Sequence, residues 1–228
     1  MDVRLYELVL NQGRSVSPFV WRARMALAHK GLTPERIGIG YGGKHVIAFS
    51  GQDRVPVLVD GETAVSDSWR IACHLEETYP DRPSLFGGDG GRALARLVNH
   101  WCDSQQLSAL FLLCTPATYA LTPEADQPYF RQSRFDWTGM SIEQMAEAGS
   151  VKKLRAAIEP LRLTLRERDF LSGDAPAYAD YCAFGGFMWA RMTVGGLLDP
   201  ADPVEAWRQR MLDLFGGLAR AEPCAEAD

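Results

Sequence analysis

The chain has 228 residues, of which 46% are hydrophobic and 23% charged, and 24 basic residues against 29 acidic ones give a net charge of −5 at pH 7. This composition is typical of a soluble globular protein with one large or two small domains, and the lack of basic clusters argues against a nucleic-acid partner. No apolar stretch reaches the ~18 residues of a membrane span and the first ten residues do not resemble a signal peptide, so membrane and secreted classes are also disfavoured.

Strand and helix signals alternate through the first 86 residues. Strands are predicted at 3–10, 35–39, 55–59 and 63–65, and helices at 17–31 and from residue 67 to just before residue 80. The last two strands form a hairpin whose turn is predicted at Asp60 and Gly61. The order β-α-β-β-β-α predicts a compact sheet-and-helix domain over 1–86. Because no GxGxxG motif follows the first strand, it is not a Rossmann unit.

From residue 87 onward the strand signals disappear. Apolar residues recur at helical spacing over 92–114, 151–171 and 178–194, and the last of these is predicted to be the central buried helix. Pro160 is expected to kink the second helix or to end it near Ile158. The segment between the first two helices contains three prolines and is too long for a plain connection, so a loop or short helices over a binding cleft are expected there. An all-helical domain is therefore predicted over 92–228.

Neither the cysteines nor the histidines form a disulfide or metal pattern. The cysteines are Cys73, Cys102, Cys114, Cys182 and Cys224, an odd number without a Cys-x-x-Cys pair. The histidines are His29, His45, His74 and His100, and none of their spacings is that of a metal-binding pair. Reduced thiols, a cytoplasmic location and no bound metal are therefore expected.

The junction between the first strand and the first helix is the most informative segment, and it contains Ser15, Ser17 and Pro18. A helix N-terminus has unpaired N–H groups and the positive end of the helix dipole, which together favour an anion such as a thiolate. The pair Ser17-Pro18 is equally typical of an ordinary N-cap followed by proline at the first helical position. This segment alone leaves both interpretations open.

Two further motifs are ambiguous when each is taken alone. Pro56 begins a strand after Val55, and a cis bond there would turn the N–H and C=O of Val55 outward toward an extended peptide, although trans is far commoner. Asp67 and Ser68 open a helix and are by default its capping residues. Their alternative role is to bind an ammonium and a carboxylate on one carbon, as in an amino acid or a γ-glutamyl group.

The three motifs together, in this order and at this spacing, resemble the cytosolic glutathione S-transferase superfamily. The resemblance covers the chain well to about residue 86 and holds at the level of the fold beyond it. It implies an α/β plus all-α architecture, with a thioredoxin-like N-terminal domain followed by a helical domain that provides the electrophile site. It also implies glutathione as co-substrate and a homodimer.

The family's glutathione site can be carried over residue by residue. The resemblance places the cis-proline at Pro56, the backbone contact to glutathione's cysteine at Val55 and the γ-glutamyl site at Asp67 and Ser68. Arg54 stands where family members often have a basic or amide residue near the glycine carboxylate. The catalytic hydroxyl is assigned to Ser17, at the helix start, with Ser15 as the alternative.

The segment 17–27 and the motifs after residue 67 resemble a narrower group, the bacterial β-etherase-like transferases and their fungal relatives of the serine type. The zeta class shares the Trp-Arg-x-Arg motif but has a different start to this segment, so it is the second choice of subgroup. One departure is Ala177, where the family usually has a Ser or Thr cap before its central helix; Asp180 is still available to cap it.

The residue type at the helix start determines the expected reaction. Lowering the pKa of a thiol by ~2 units requires roughly 2.7 kcal/mol, and one hydroxyl hydrogen bond to sulfur plus the helix end supplies ~1.8–4 kcal/mol. Serine cannot form a mixed disulfide, so attack of the thiolate on an electrophilic carbon is expected. Cleavage of a β-aryl ether is one candidate reaction of this kind. Aromatic substrates are predicted to contact Phe19, Tyr119, Phe135 and Trp137.

Two alternatives to this transferase remain open. A glutathione-dependent isomerase of a maleyl-type diacid would need cations near the substrate, for which Arg22 and Arg24 are the only nearby candidates. A non-catalytic protein that binds glutathione conjugates would retain the fold without the chemistry.

Overall fold

The computed structural model describes residues 2–225, and its N-terminal part is built around a four-stranded sheet. The strands are β1 (Val3–Leu8), β2 (Glu35–Ile39), β3 (Val57–Asp60) and β4 (Thr63–Ser66), and the helices are α1 (Pro18–His29) and α2 (Ser68–Thr78). The sheet order is β2-β1-β3-β4, in which β1 is parallel to β2 and antiparallel to β3. A 3-10 helix at Tyr41–Ser50 connects β2 to the hairpin. The predicted order of strands and helices is confirmed.

The hairpin turn lies one residue later than the sequence predicts. Asp60 pairs with Thr63 across the two strands, so the turn residues are Gly61 and Glu62. Gly61 has a φ of +60°, which glycine adopts without steric cost. The carboxylate of Asp60 also accepts hydrogen bonds from His74 and Tyr79, which hold it at the end of the strand.

The chain from residue 89 onward is helical in the described residues. The helices are α3 (Asp89–Trp101), α4 (Leu107–Leu121), α5 (Gln127–Thr138), α6 (Ile142–Ala148), α7 (Val151–Ala157), α8 (Glu159–Leu165), α9 (Tyr178–Thr193) and α10 (Pro203–Gly217). A π-helical turn at Cys102–Gln106 joins α3 to α4. The expected break before Pro160 is confirmed, since Ile158 separates α7 from α8. The predicted α/β plus all-α class is confirmed.

Helix α9 is the central buried helix, as predicted, and almost every residue in it is buried. Asp180 at its start accepts hydrogen bonds from the backbone N–H of Leu171, Ser172 and Ala177 and from the indole of Trp207. The carboxylate therefore caps the helix where Ala177 lacks a hydroxyl.

Helices α1 and α9 fix the sheet region to the helical region. Gly185 approaches α1 so closely that a Cβ there would lie 2.4 Å from the carbonyl oxygen of Pro18. The buried side chain of Arg22 donates to the Cys182 carbonyl at 3.2 Å and forms an ion pair with Asp103 at 2.8 Å. The start of α1 is thus held against the helical region. Among residues 2–225, none of the helices has the length and apolar character needed to cross a bilayer.

Candidate functional site

A cleft of about 860 Å³ lies between the start of α1, the residues before β3, and helices α4 and α5. Its lining includes five of the residues predicted from sequence: Ser17, Phe19, Arg54, Val55 and Trp137. This volume is within the ~300–1,000 Å³ of small-molecule sites. The cleft therefore brings together the predicted helix-start serine, the residues before Pro56 and part of the predicted aromatic surface.

Ser17 is the N-cap of α1, with 9% of its surface exposed. Its Oγ accepts a hydrogen bond from the backbone N–H of Val20 at 3.4 Å, and Pro18 occupies the first helical position. Within residues 2–225, no group accepts a hydrogen bond from the Ser17 hydroxyl. The hydroxyl proton is therefore available to an acceptor in the cleft.

Ser15 lies two residues away in a different environment. Its side chain is fully buried, and its hydroxyl donates to the Glu7 carboxylate at 3.0 Å. The Ser15 carbonyl accepts from the indole of Trp21 at 2.8 Å. Ser15 does not line the cleft, so the geometry favours Ser17 over this alternative.

The bond between Val55 and Pro56 is cis, as the family pattern implies. Val55 lines the cleft just before β3, whereas Pro56 is buried and does not line it. The Arg54 side chain is 89% exposed at the same edge and lies 3.8 Å from Asp53. Lys44 forms a second ion pair with Asp53 at 3.0 Å. The hydrogen bond from Lys44 lowers the pKa of the Asp53 carboxyl.

Asp67 and Ser68 lie at the start of α2, outside the lining of the cleft. Asp67 has a φ of +77°, and its Oδ1 accepts hydrogen bonds from the N–H of Trp69 and Arg70, both at 3.1 Å. No donor in the described residues contacts Oδ2. Ser68 is 2% exposed. Asp67 is thus both a cap and an exposed carboxylate with one free oxygen.

The aromatic surface differs in part from the prediction, because Tyr119 and Phe135 do not line the cleft. Tyr119 packs against Phe130 at 6.0 Å between ring centroids, and Phe135 is 51% exposed on another face of α5. The α5 residues that line the cleft are Tyr129, Phe130, Ser133, Arg134, Trp137 and Thr138. Their spacing of three to four residues is that of one helical face, a signal present in the sequence.

Three further aromatic residues of the cleft, Phe111, Trp189 and Tyr41, lie outside the set of four predicted contacts. Phe111 of α4 meets the Trp137 ring edge to face at 4.8 Å and lies 6.3 Å from the ring of Trp189 in α9. Tyr41 also lines the cleft, and burial raises the pKa of its hydroxyl to about 12 although the Arg134 guanidinium opposes this shift. Tyr41 is therefore a neutral hydroxyl at pH 7.

The two arginines named from the sequence as candidates for an isomerase, Arg22 and Arg24, lie outside the cleft. Arg22 is buried against Asp103, and Arg24 is buried against Glu222 at 2.7 Å. Neither lines the cleft. The helical phase of α1 turns both side chains inward. Their closeness to Ser17 in the sequence therefore does not place them in the cleft.

Two further observations delimit the site. A second depression of about 890 Å³ lies between α3, the π-helical turn and α7–α8, and shares only Asp103 with the cleft. Within the described residues, no group of three His, Cys, Asp or Glu side chains is arranged to hold a metal ion.

Comparison with known proteins identifies the family. Residues 13–83 match the glutathione S-transferase N-terminal domain and residues 93–213 match the glutathione S-transferase C-terminal domain. A glutathione S-transferase-like protein of Aspergillus flavus is 29% identical over 69% of this chain, and the match spans 58% of that protein. Glutathione S-transferase 4 of Zea mays is 28% identical over 86% of this chain and 84% of its own length.

Solved structures show the same fold. A glutathione S-transferase of Ceriporiopsis subvermispora, in complex with glutathione, has a TM-score of 0.81 at 24% identity and covers 98% of this chain and 99% of its own. A glutathione transferase of Phanerochaete chrysosporium has a TM-score of 0.77 at 24% identity, over 95% and 92%. The thioredoxin-like N-terminal domain and the helical domain after it are confirmed, and family members use glutathione as co-substrate. The chain therefore belongs to the glutathione S-transferase family.

Proposed function

We propose that this chain is a serine-type glutathione transferase, in which Ser17 stabilises the glutathione thiolate for attack on an aromatic electrophile in the cleft. The observation that carries the proposal is the Ser17 hydroxyl, whose oxygen is fixed by the Val20 N–H while its proton is left to a ligand. The position at the N-terminus of α1 adds the favourable end of the helix dipole.

In this proposal an extended glutathione contacts both helix starts. Its sulfur lies at Ser17 and its cysteine backbone pairs with Val55. The free Oδ2 of Asp67 receives the γ-glutamyl ammonium, and Ser68 receives the α-carboxylate. The exposed guanidinium of Arg54 supplies a cation for the glycine carboxylate at the opposite end.

The reaction needs no base from the protein. The thiol proton passes to solvent, and the Ser17 hydroxyl donates a hydrogen bond to the sulfur anion. The sulfur then forms a bond to the electrophilic carbon while the bond to the leaving group breaks. The leaving group departs with the electron pair and takes a proton from solvent.

An aryl ether is one class of electrophile that this scheme accommodates, with an aryloxide as leaving group. The wall of Phe111, Trp137 and Trp189 supports aromatic substrates. No cysteine of the described residues lines the cleft, which disfavours thiol–disulfide exchange. Arg22 and Arg24, the candidates for binding a maleyl-type diacid, lie in buried ion pairs and are not available to such a substrate.

Cytoplasmic location, a homodimer and the division into domains at 1–86 and 92–228 remain proposals that rest on the family resemblance. Light scattering of the purified protein measures the oligomeric state directly, and a monomer at micromolar concentration would contradict the dimer.

Ser17→Ala tests the proposal. We expect the pKa of bound glutathione to rise by about 2 units and kcat/KM for 1-chloro-2,4-dinitrobenzene to fall roughly 10- to 100-fold, while the Kd for glutathione changes less than about twofold. The thiolate absorbance of the complex gives the pKa. Ser17→Thr, which retains the hydroxyl, should retain most of the rate.

Ser150→Ala is the matched control, because Ser150 caps α7 through the Lys153 N–H at 3.3 Å and lies outside the cleft. Both alanine variants should lose about 1 kcal/mol of stability from the missing cap, but only Ser17→Ala should lose activity. An unchanged thiol pKa and rate in Ser17→Ala would refute activation by Ser17. Bound glutathione without turnover in the wild type would instead indicate a conjugate-binding protein.

A further inference from the structure

The electrophile side of the cleft contains a cation without a matching carboxylate. Arg134 of α5 lines the cleft, and within residues 2–225 no Asp or Glu oxygen lies within 4.0 Å of its guanidinium. Its side chain is held by aromatic faces, with the guanidinium carbon 4.4 Å from the centroid of Phe130 and 5.9 Å from that of Tyr41. It donates a hydrogen bond to the neighbouring Ser133 hydroxyl at 3.2 Å and also interacts with the Tyr41 hydroxyl, and both of these partners are neutral.

Each of the other charged side chains of the cleft has a partner of opposite charge within 4.0 Å. Lys44 and Arg54 share the carboxylate of Asp53, at 3.0 and 3.8 Å. Asp103 is neutralised by Arg22 at 2.8 Å. Arg134 is therefore the one cleft cation in the described chain that has no carboxylate within ion-pair distance.

A buried hydroxyl of the same cleft also lacks a partner. Thr115 of α4 is 1% exposed, and its Oγ1 has no hydrogen-bond partner in the described residues. Thr118 and Thr122, further along the chain, instead donate to the carbonyls four residues earlier, at 2.8 and 2.9 Å. An unpaired buried hydroxyl costs free energy that a ligand oxygen would recover.

The aromatic wall is next to these two groups in the fold. Trp137 follows Arg134 by three residues on α5, so their side chains share one face of the helix. Phe111, which contacts the Trp137 ring at 4.8 Å, precedes Thr115 by one turn of α4. A ring against this wall would therefore present its substituents toward the guanidinium and the hydroxyl.

We propose that the electrophile is an aromatic carboxylate, whose ring lies against Phe111 and Trp137 and whose carboxylate is bound by Arg134 with Thr115 as a second donor. The inference rests on the proposed transferase function and names the substrate class of the same site. The planar guanidinium matches a carboxylate with two parallel hydrogen bonds, which a lone phenol oxygen cannot accept. An aliphatic diacid would leave the aromatic wall unused.

A matched pair of electrophiles tests the proposal. In 4-chloro-3,5-dinitrobenzoate and its neutral carboxamide, the same carbon loses chloride to the glutathione thiolate. After correction for the uncatalysed rates, we expect the wild type to favour the carboxylate by about 10-fold or more in kcat/KM. The binding affinity of 3,5-dinitrobenzoate, which has no leaving group, is measured by calorimetry on the glutathione-loaded protein.

Arg134→Met should remove this preference, so that the carboxylate and the carboxamide are turned over with similar kcat/KM, and Arg134→Lys should restore part of it. Arg131→Met is the control on the same helix, because Arg131 is paired with Glu143 at 2.8 Å and does not line the cleft. It should leave the preference unchanged.

Thr115→Val provides an independent measurement. We expect 3,5-dinitrobenzoate to bind several-fold more weakly, while the stability of the free protein is unchanged or increased because the orphan hydroxyl is gone. A loss of stability with unchanged affinity would overturn the role of Thr115.

The outcomes separate this inference from the proposed function. Turnover of the carboxamide without a preference for the carboxylate would overturn the inference alone, whereas no turnover of either would refute the transferase. If Arg134→Met raised the KM for glutathione and left the preference intact, Arg134 would be assigned to glutathione and the inference would fail.

Discussion

Ser15 and Ser17 carry the same side chain two residues apart, yet the fold gives them opposite roles. The Ser15 hydroxyl is buried and donates to Glu7 on β1, whereas the Ser17 hydroxyl faces the cleft with its proton unshared. Glu7 itself is 1% exposed and also accepts from Arg36. Ser15 thus helps to satisfy a buried carboxylate, and its contribution is to stability.

Ser15→Ala should separate the two serines. Removing a donor to a buried carboxylate should lower the free energy of unfolding by about 1–3 kcal/mol, while the thiol pKa of bound glutathione and kcat stay close to the wild type. Urea unfolding and the thiolate titration measure the two effects. A raised thiol pKa in the folded variant would transfer the catalytic assignment from Ser17 to Ser15.

The sequence narrows the proposed catalytic hydroxyl to two serines and favours Ser17 only because of its position at the helix start, with Ser15 as the alternative. The structure adds the contact with Glu7 of β1, which accepts the hydrogen bond of the Ser15 hydroxyl and which the sequence alone does not reveal. Arg134 is not among the site residues predicted from the sequence. It lies in the segment between the first two predicted helices, for which a loop or short helices are expected. Once α5 is known, the spacing of Phe130, Arg134 and Trp137 places all three on one helical face.

Helix α4 extends further along the chain than its local sequence predicts. Apolar residues at helical spacing predict a helix that ends near residue 114, and Pro116, just beyond it, has no N–H to donate to the carbonyl of Leu112. The helix instead continues to Leu121, because Leu110, Cys114 and Leu121 lie in the main hydrophobic core. Burial of one apolar face outweighs a single missing hydrogen bond. The central helix α9 was predictable because its sequence is apolar on all sides.

The contact between α1 and α9 depends on a residue that sequence patterning does not single out. At Gly185 a Cβ would lie 2.4 Å from the Pro18 carbonyl oxygen and 3.2 Å from the side chain of Arg22. The first of these atoms is backbone at the start of α1, so it cannot move without moving Ser17. Gly185 is therefore required for the close approach of the two helices.

Gly185→Ala is expected to force α1 and α9 apart and to lower the free energy of unfolding by about 1–3 kcal/mol. Because the displaced helix begins at Ser17, the proposed catalytic serine, kcat/KM should fall as well. Gly90→Ala is the control, since Gly90 is helical and a Cβ there meets no atom within 4 Å. That change should leave stability equal or raise it by up to about 1 kcal/mol. Equal behaviour of the two variants would contradict the close-packing argument.

At the scale of the whole molecule, the C-terminal segment is tied to the sheet region by charge. Glu222 accepts hydrogen bonds from Arg24 of α1 at 2.7 Å and from Arg36 of β2 at 2.6 Å. Arg36 also pairs with Glu7 on β1. Burial alone would raise the pKa of Glu222, but the hydrogen bonds from the two guanidinium groups outweigh it and lower the pKa below 4.5.

Glu222→Gln should therefore lower stability in a pH-dependent way. The native pKa lies below that of the unfolded chain, so the ionised carboxylate stabilises the fold above about pH 4.5, and this contribution disappears as the pH falls through the native pKa. We expect the variant to lose about 1 kcal/mol at pH 7 and the difference to shrink toward zero in acid, as measured by urea unfolding across that range. Glu77→Gln, which breaks an exposed pair with Arg92, should change stability by less than about 0.5 kcal/mol. If Glu222→Gln lowered the free energy of unfolding by the same amount in acid as at pH 7, packing and not the charge of Glu222 would hold the C-terminal segment.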